Sequence, residues 1–155
     1  MRAMADKSID DGFLAKSPLF EGLSEAEIKQ LMEIVQVREF SSGSTIVEQG
    51  TDGDAVYLLY EGSVTVNASQ KWGGELKLAT LAERGAFFGE VSVVDPGPRS
   101  ATVRAEIDAV LLEIKVDRLE DFFAKARAAE TVVLRNVARV LAQRLRDSNI
   151  LLGTR

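Results

Sequence analysis

A chain of 155 residues, 46% hydrophobic and 28% charged, has the composition of one soluble globular domain with room for an ordinary core. It contains no cysteine and no histidine, which excludes disulfides, thiolate or Ser-His catalysis and, effectively, zinc sites. Its net charge of −5 disfavours non-specific nucleic-acid binding, although from Arg127 onward six arginines face only Glu130 and Asp147. That basic tail reads as a solvated helix face that also stabilises helix carbonyls, with a nucleic-acid patch as the alternative. The opening "MRAMADKSIDDG" has no apolar run of a leader, and no apolar stretch approaches the roughly 20 residues that span a bilayer. A cytoplasmic protein is expected.

Residues 1–16 read as an N-terminal extension, with a short helix around Gly12–Lys16, and 17–152 as one domain. In "SPLFEGLSEAEIKQLMEIV", Ser24 and Glu27 form a capping box, with Leu23 and Ile28 as its staple. Ile28, Leu31, Met32 and Val35 then fall at helical spacing. From Val35 to Lys115 short β-rich runs recur: "VQVREF", "STIVEQ", "AVYLLYEG", "SVTVNAS", "ELKLATLA", "SATVRAEI" and "AVLLEIK". Glycines punctuate them and need be no more than turn residues. Such spacing predicts an antiparallel β-roll, jelly-roll-like, of about eight strands. Asp117 is the expected N-cap of "VDRLEDFFAKA", and a long helix over 129–152 follows, with Gly153 as its stop. The fold class is therefore α+β: the roll flanked by an N-terminal helical segment and a long C-terminal helix. Leu134, Ala138, Leu141, Leu145, Ser148 and Leu152 step along that last helix as a heptad seam. The seam suits a homodimer; packing both helix faces inside one chain is the alternative.

"FFGEVSVVDPGPRSATV", residues 87–103, sets a lone Glu90 and a lone Arg99 in apolar surroundings, with two prolines between them. Gly89 permits close backbone approach, and "GEVSVV" is long enough for one helical turn. The first amides of such a turn lack internal partners and bind anions. Asp95-Pro96-Gly97-Pro98 ends the turn, and Arg99 is expected to open the next strand, aimed back at the same spot. One guanidinium plus exposed amides suits one singly charged phosphate; no G-x-x-x-x-G-K for a triphosphate is present. Glu90 is an acceptor and suits a hydroxyl donor such as a ribose 2′-OH.

Phe88-Gly89-Glu90 followed by Pro98-Arg99-Ser100-Ala101-Thr102-Val103 resembles the phosphate-binding cassette of cyclic-nucleotide-binding domains. These occur in kinase regulatory subunits, gated channels and the bacterial catabolite-activator family. "LFEGLSEAEIKQL" and "GTDGDAVYLLYEGSVTV" are similar to that family's entry helix and first strands. The resemblance implies that Glu90 binds the ribose 2′-hydroxyl and Arg99 the cyclic phosphate. It implies that backbone at Gly89, Val91 and Ser92 completes the cradle. Ser92 stands where alanine is common, so its hydroxyl adds a contact, and Ser100 follows the arginine as serine does in catabolite activators. "LAQRLRDSN" resembles the catabolite-activator dimerisation helix. That places Arg144 near the glutamate and phosphate, and Ser148 and Asn149 against the base, an ordinary helix end being the other reading of these two. Only Gly153-Thr154-Arg155 follow Leu152, where the transcription factors continue into a helix-turn-helix. The expectation is a stand-alone sensor of cyclic nucleotide, cAMP in preference to cGMP. It is no enzyme, needs no cofactor or metal, and binds neither DNA by itself nor membrane. It signals as a homodimer to an unidentified protein effector. The alternatives are the sensor part of a catabolite-activator-type regulator and a ligand-free interaction module of the same fold.

Overall fold

The computed structural model describes residues 9–153. Two short helices, α1 (Asp11–Ala15) and α2 (Glu25–Met32), open it. Five strands follow: β1 (Gln36–Phe40), β2 (Thr45–Val47), β3 (Ala55–Glu61), β4 (Val64–Ser69) and β5 (Glu75–Leu81). Then come β6 (Phe87–Phe88), one helical turn α3 (Val91–Val94), β7 (Thr102–Ala105) and β8 (Ala109–Lys115). The chain closes with α4 (Val116–Lys125) and α5 (Arg127–Gly153). The strands form two four-stranded sheets, in the orders β1-β8-β3-β6 and β2-β7-β4-β5, with antiparallel pairing throughout. This is the expected antiparallel roll with flanking helices.

The two central strands β3 and β8 are buried on both faces, which explains their near-continuous apolar runs. Alternate residues serve different cores. Ala55, Tyr57, Leu59, Ala109 and Leu111 face the other sheet and meet its Val64, Val103 and Ala105. Val56, Leu58, Leu112 and Ile114 face the helices. There they meet Leu14 of α1, Ile28 and Leu31 of α2, Leu119 and Phe122 of α4, and Val133 and Val137 of α5. Truncating a core leucine such as Leu58 to alanine costs about 2–5 kcal/mol, because the cavity adds to the lost transfer energy.

Local chemistry sets the helix boundaries. Ser24 Oγ accepts from the Glu27 amide (3.1 Å) while Glu27 Oε1 accepts from the Ser24 amide (2.8 Å), the reciprocal cap that starts α2. Asp117 is not the N-cap of α4. The helix begins one residue earlier, with Lys115 in the cap position and no side-chain cap bond. The Val116 amide, which would otherwise need a cap, donates to the Asp54 carbonyl at 2.8 Å, a partner distant in the chain. A non-helical Ala126 (φ −139°) separates α4 from α5. Helix α5 starts at Arg127, two residues ahead of the expected 129. It is anchored at its inner face by buried Asn136, whose Nδ2 donates to the Leu19 (3.0 Å) and Glu21 (2.8 Å) carbonyls.

Candidate functional site

Strand β6 is only two residues long, and its Phe88 pairs with Tyr57 at the edge of the first sheet. Gly89 follows at φ +84°, a conformation that side-chain-bearing residues rarely adopt. A Cβ there would also lie 2.7 Å from both the Ala55 carbonyl and Arg99 Nη1. Glycine is thus required at 89 for conformation and for space, and the guanidinium of Arg99 rests against its backbone. The turn continues through α3, where the Ser92 and Val93 amides donate to the Gly89 and Glu90 carbonyls at 3.1 Å each. Ser92 is buried, Val91 half-exposed.

Arg99 does not open β7, which begins at Thr102. Its backbone is instead clamped to the loop before β3. The Arg99 amide donates to the Thr51 carbonyl (2.7 Å), and its own carbonyl accepts from the Gly50 amide (2.9 Å). Asp52 bridges to Pro98, and the Gly53 amide donates to the Gly97 carbonyl (2.9 Å). This second glycine is dictated by space: a Cβ at 53 would fall 2.3 Å from Ser92 Oγ. The side chain of Arg99 is 8% exposed. Its Nη2 donates to the Ala55 carbonyl at 3.2 Å and lies 3.9 Å from Asp54 Oδ1, and the guanidinium carbon is 5.9 Å from the centre of the Tyr57 ring.

Glu90 is 1% exposed. It occupies the cap position of α3 without capping it. Its carboxylate turns to α5, where Arg144 donates to Oε1, and the Arg144 guanidinium also lies 5.3 Å over the Phe87 ring. Gly89, Glu90, Ser92, Arg99 and Arg144 thus come from three segments of the chain, with Arg99 against Gly89 and Arg144 on Glu90. Ser100 is exposed on the approach to β7. Ser148, exposed, sits one helical turn beyond Arg144 and so on the same side of α5. The Asn149 side chain lies outside the described residues.

Sequence reasoning missed the layer beneath the cassette. Glu113 of β8 is 1% exposed; its Oε2 accepts from the Tyr57 hydroxyl (2.7 Å) and from Arg38 Nη1 (2.9 Å). Tyr57 stacks on Phe88, ring centres 5.0 Å apart. Burial, reinforced by the hydrogen bond to Glu113 and its charge, pushes the Tyr57 phenol well above the usual tyrosine range. These partners are far apart in sequence, and no local pattern announces them. Among the described residues no cluster of three or more acidic side chains is arranged to hold a metal ion, and no helix is long and apolar enough to cross a membrane.

Residues 37–126, from β1 through α4 and including the whole cassette, match the family model of the cyclic nucleotide-binding domain. The chain belongs to that family. This cyclic-nucleotide-binding domain is 38% identical over 134 residues to the cyclic AMP receptor protein of Thermus thermophilus, covering 86% of this chain and 60% of the relative. It is 34% identical over 141 residues to a CRP-like cAMP-activated global transcriptional regulator of Mycobacterium tuberculosis, covering 90% and 60%. The crystal structure of the T. thermophilus catabolite activator protein superposes with a TM-score of 0.76 at 34% identity, over 89% of this chain and 62% of that one. A cyclic nucleotide-binding domain from Methylobacillus flagellatus gives 0.79 at 26% identity, over 93% and 81%. The chain spans about 60% of the length of the two curated relatives.

Proposed function

We propose that this domain binds cAMP in preference to cGMP between the cassette and α5, and that occupancy is read out through α5. The observation that carries the reading is the placement of Arg99 and Glu90. A largely buried guanidinium with further donors to spare lies against the Gly89 backbone, as a cyclic phosphate requires. The buried carboxylate of Glu90, next in the chain after Gly89, is an acceptor for a ribose hydroxyl and is already tied to the long helix. The Gly89 and Val91 backbone and Ser92 would complete the cradle. Ser100, Ser148 and Asn149 are assigned to the side of the base. Adenine offers an amino donor where guanine offers a carbonyl, and Ser148 can accept it.

The same reading makes α5 the dimer helix. Leu134 is half-buried, Ala138 is exposed and Leu145 is 63% exposed, whereas the inner face spends Ala129, Val133, Val137 and part of Leu141 on the core. The product is a non-enzymatic cytoplasmic sensor acting on a protein effector, with no DNA contact by this segment itself. The relatives support its assignment to regulatory proteins. The mass of the native gene product separates a sensor that acts alone from the sensing part of a longer regulator.

Titration calorimetry with cAMP and cGMP tests the site. One nucleotide per chain is expected, with cAMP the tighter, and ligand at 100 times Kd should stabilise the fold by about 2.7 kcal/mol. Ser148→Ala/Asn149→Ala should narrow the preference. Binding of neither nucleotide overturns the reading, and tighter binding of cGMP reverses the base assignment.

A further inference from the structure

One row of side chains crosses the first sheet in register: Gln36 of β1 opposite Glu113 of β8, Glu113 opposite Tyr57 of β3, and Tyr57 opposite Phe88 of β6. Neighbours in such a row share a face of the sheet. The row ends beside Gly89, at the cassette. Its second member is costly. A carboxylate between Leu112 and Ile114 on a fully buried strand gives up its hydration, and an apolar residue of similar size would serve stability as well or better. Its Oε1 is buried without a hydrogen-bond partner among the described residues. Both of its bonds fall on Oε2, one from Tyr57 and one from the half-exposed Arg38.

What Glu113 fixes is the Tyr57 ring. The hydroxyl is held at 2.7 Å and the ring is stacked on Phe88, so little rotamer freedom is left. That ring is one of the groups against which Arg99 rests, within the roughly 6 Å at which an aromatic face attracts a cation. Ala55, two residues earlier on β3, supplies the carbonyl that Arg99 donates to. Strand β3 therefore positions the guanidinium twice, and the second contact depends on a tyrosine locked by a carboxylate of the neighbouring strand. A recognition group needs its supports held to about 0.5 Å, and a ring free to move would not provide that.

We infer that Glu113 and Tyr57 are positioning residues for the phosphate-binding guanidinium of Arg99. They touch no ligand; they set where the fork points. The inference rests on Arg99 being the phosphate ligand. The test measures cAMP affinity, by displacement of a fluorescent cyclic-nucleotide analogue, for the native protein, Tyr57→Phe, Glu113→Gln and Arg99→Ala, and for each of the first two combined with Arg99→Ala. Residues that act through one another give non-additive losses. Each positioning variant should weaken binding about 5- to 10-fold in the native background and less than about twofold once Arg99 is gone. Arg38→Met, altered at the half-exposed end of the network, gives the same readout should Glu113→Gln fail to fold. A folded set with native affinity, or a loss undiminished in the Arg99→Ala background, overturns the inference. A native protein that binds no cyclic nucleotide, or an Arg99→Ala protein that binds as the native one does, overturns the site reading beneath it.

Discussion

Arg144 of α5 donates a hydrogen bond to Glu90 of the cassette, joining residues 54 positions apart in the chain. The carboxylate is buried and the guanidinium half-exposed, so the helix supplies the donor that keeps a buried charge paired. On the proposed site, a ribose hydroxyl would meet a carboxylate with one oxygen already engaged by the helix. Ligand and α5 would thus meet at one side chain.

Hydrogen bonds to charged groups contribute about 1.5–3 kcal/mol. Native protein should therefore bind 2′-deoxy-cAMP about tenfold or more below cAMP, since 1.4 kcal/mol is a factor of ten. In Glu90→Gln that gap should shrink. Calorimetric titration of both proteins with both ligands checks it, and equal binding of the two ligands by native protein contradicts the role.

Removing one partner of a desolvated charge pair costs about 2–5 kcal/mol. Arg99→Ala should accordingly weaken cAMP binding about 30-fold or more while circular dichroism shows the fold retained. A folded variant of native affinity ends the assignment of Arg99 to phosphate.

Leu145 of α5 is 63% exposed, and half-buried Leu141 packs partly on the helix-side core; an isologous two-fold contact would bury the remaining apolar surface of both against their copies. Sedimentation should show native protein as a dimer at micromolar concentration. Leu141→Glu, which places a charge on both sides of the axis, should be a monomer. A native monomer with and without cAMP rejects the seam.

Tyr57 holds its proton more tightly in the folded protein than at the ordinary tyrosine value of 10.0, chiefly because it is buried and then because Glu113 accepts its hydrogen. The raised native value leaves stability intact below that pH and erodes it as the pH climbs above it, because only the unfolded chain releases the proton there. Urea unfolding from about pH 9 to 11 should show this loss, and Tyr57→Phe should flatten it. Identical slopes in the two proteins would remove Tyr57 from the alkaline transition.

The readable parts of this sequence were those whose chemistry is local. Ser24 and Glu27 are three residues apart and cap a helix; the seven apolar runs between glycines became seven strands; the cassette is one contiguous segment. What escaped is short or long-range. Strand β6 is two residues, below the length at which alternation can be seen. Asp117 looked like a cap, but the helix starts earlier, its first amide, that of Val116, meeting the Asp54 carbonyl 62 residues away in the chain and adjacent in space. Glu113 is one charge inside an apolar strand, and its partners Tyr57 and Arg38 stand 56 and 75 positions off. Periodicity has no access to such pairs.

The close fit of Gly53 under the Ser92 hydroxyl makes two loops one unit of variation. A methyl group at 53 would force the Ser92 hydroxyl to another rotamer or the loop to shift, whereas Ala at 92 would clear the nearest obstruction. Gly53→Ala alone should pry the loop at 50–53 from Gly97 and carry the Arg99 backbone with it, since the same loop holds both. Paired with Ser92→Ala it meets a smaller neighbour. Positions 53 and 92 on the floor of this cassette are thus coupled, and a larger residue at one is best met by a smaller residue at the other.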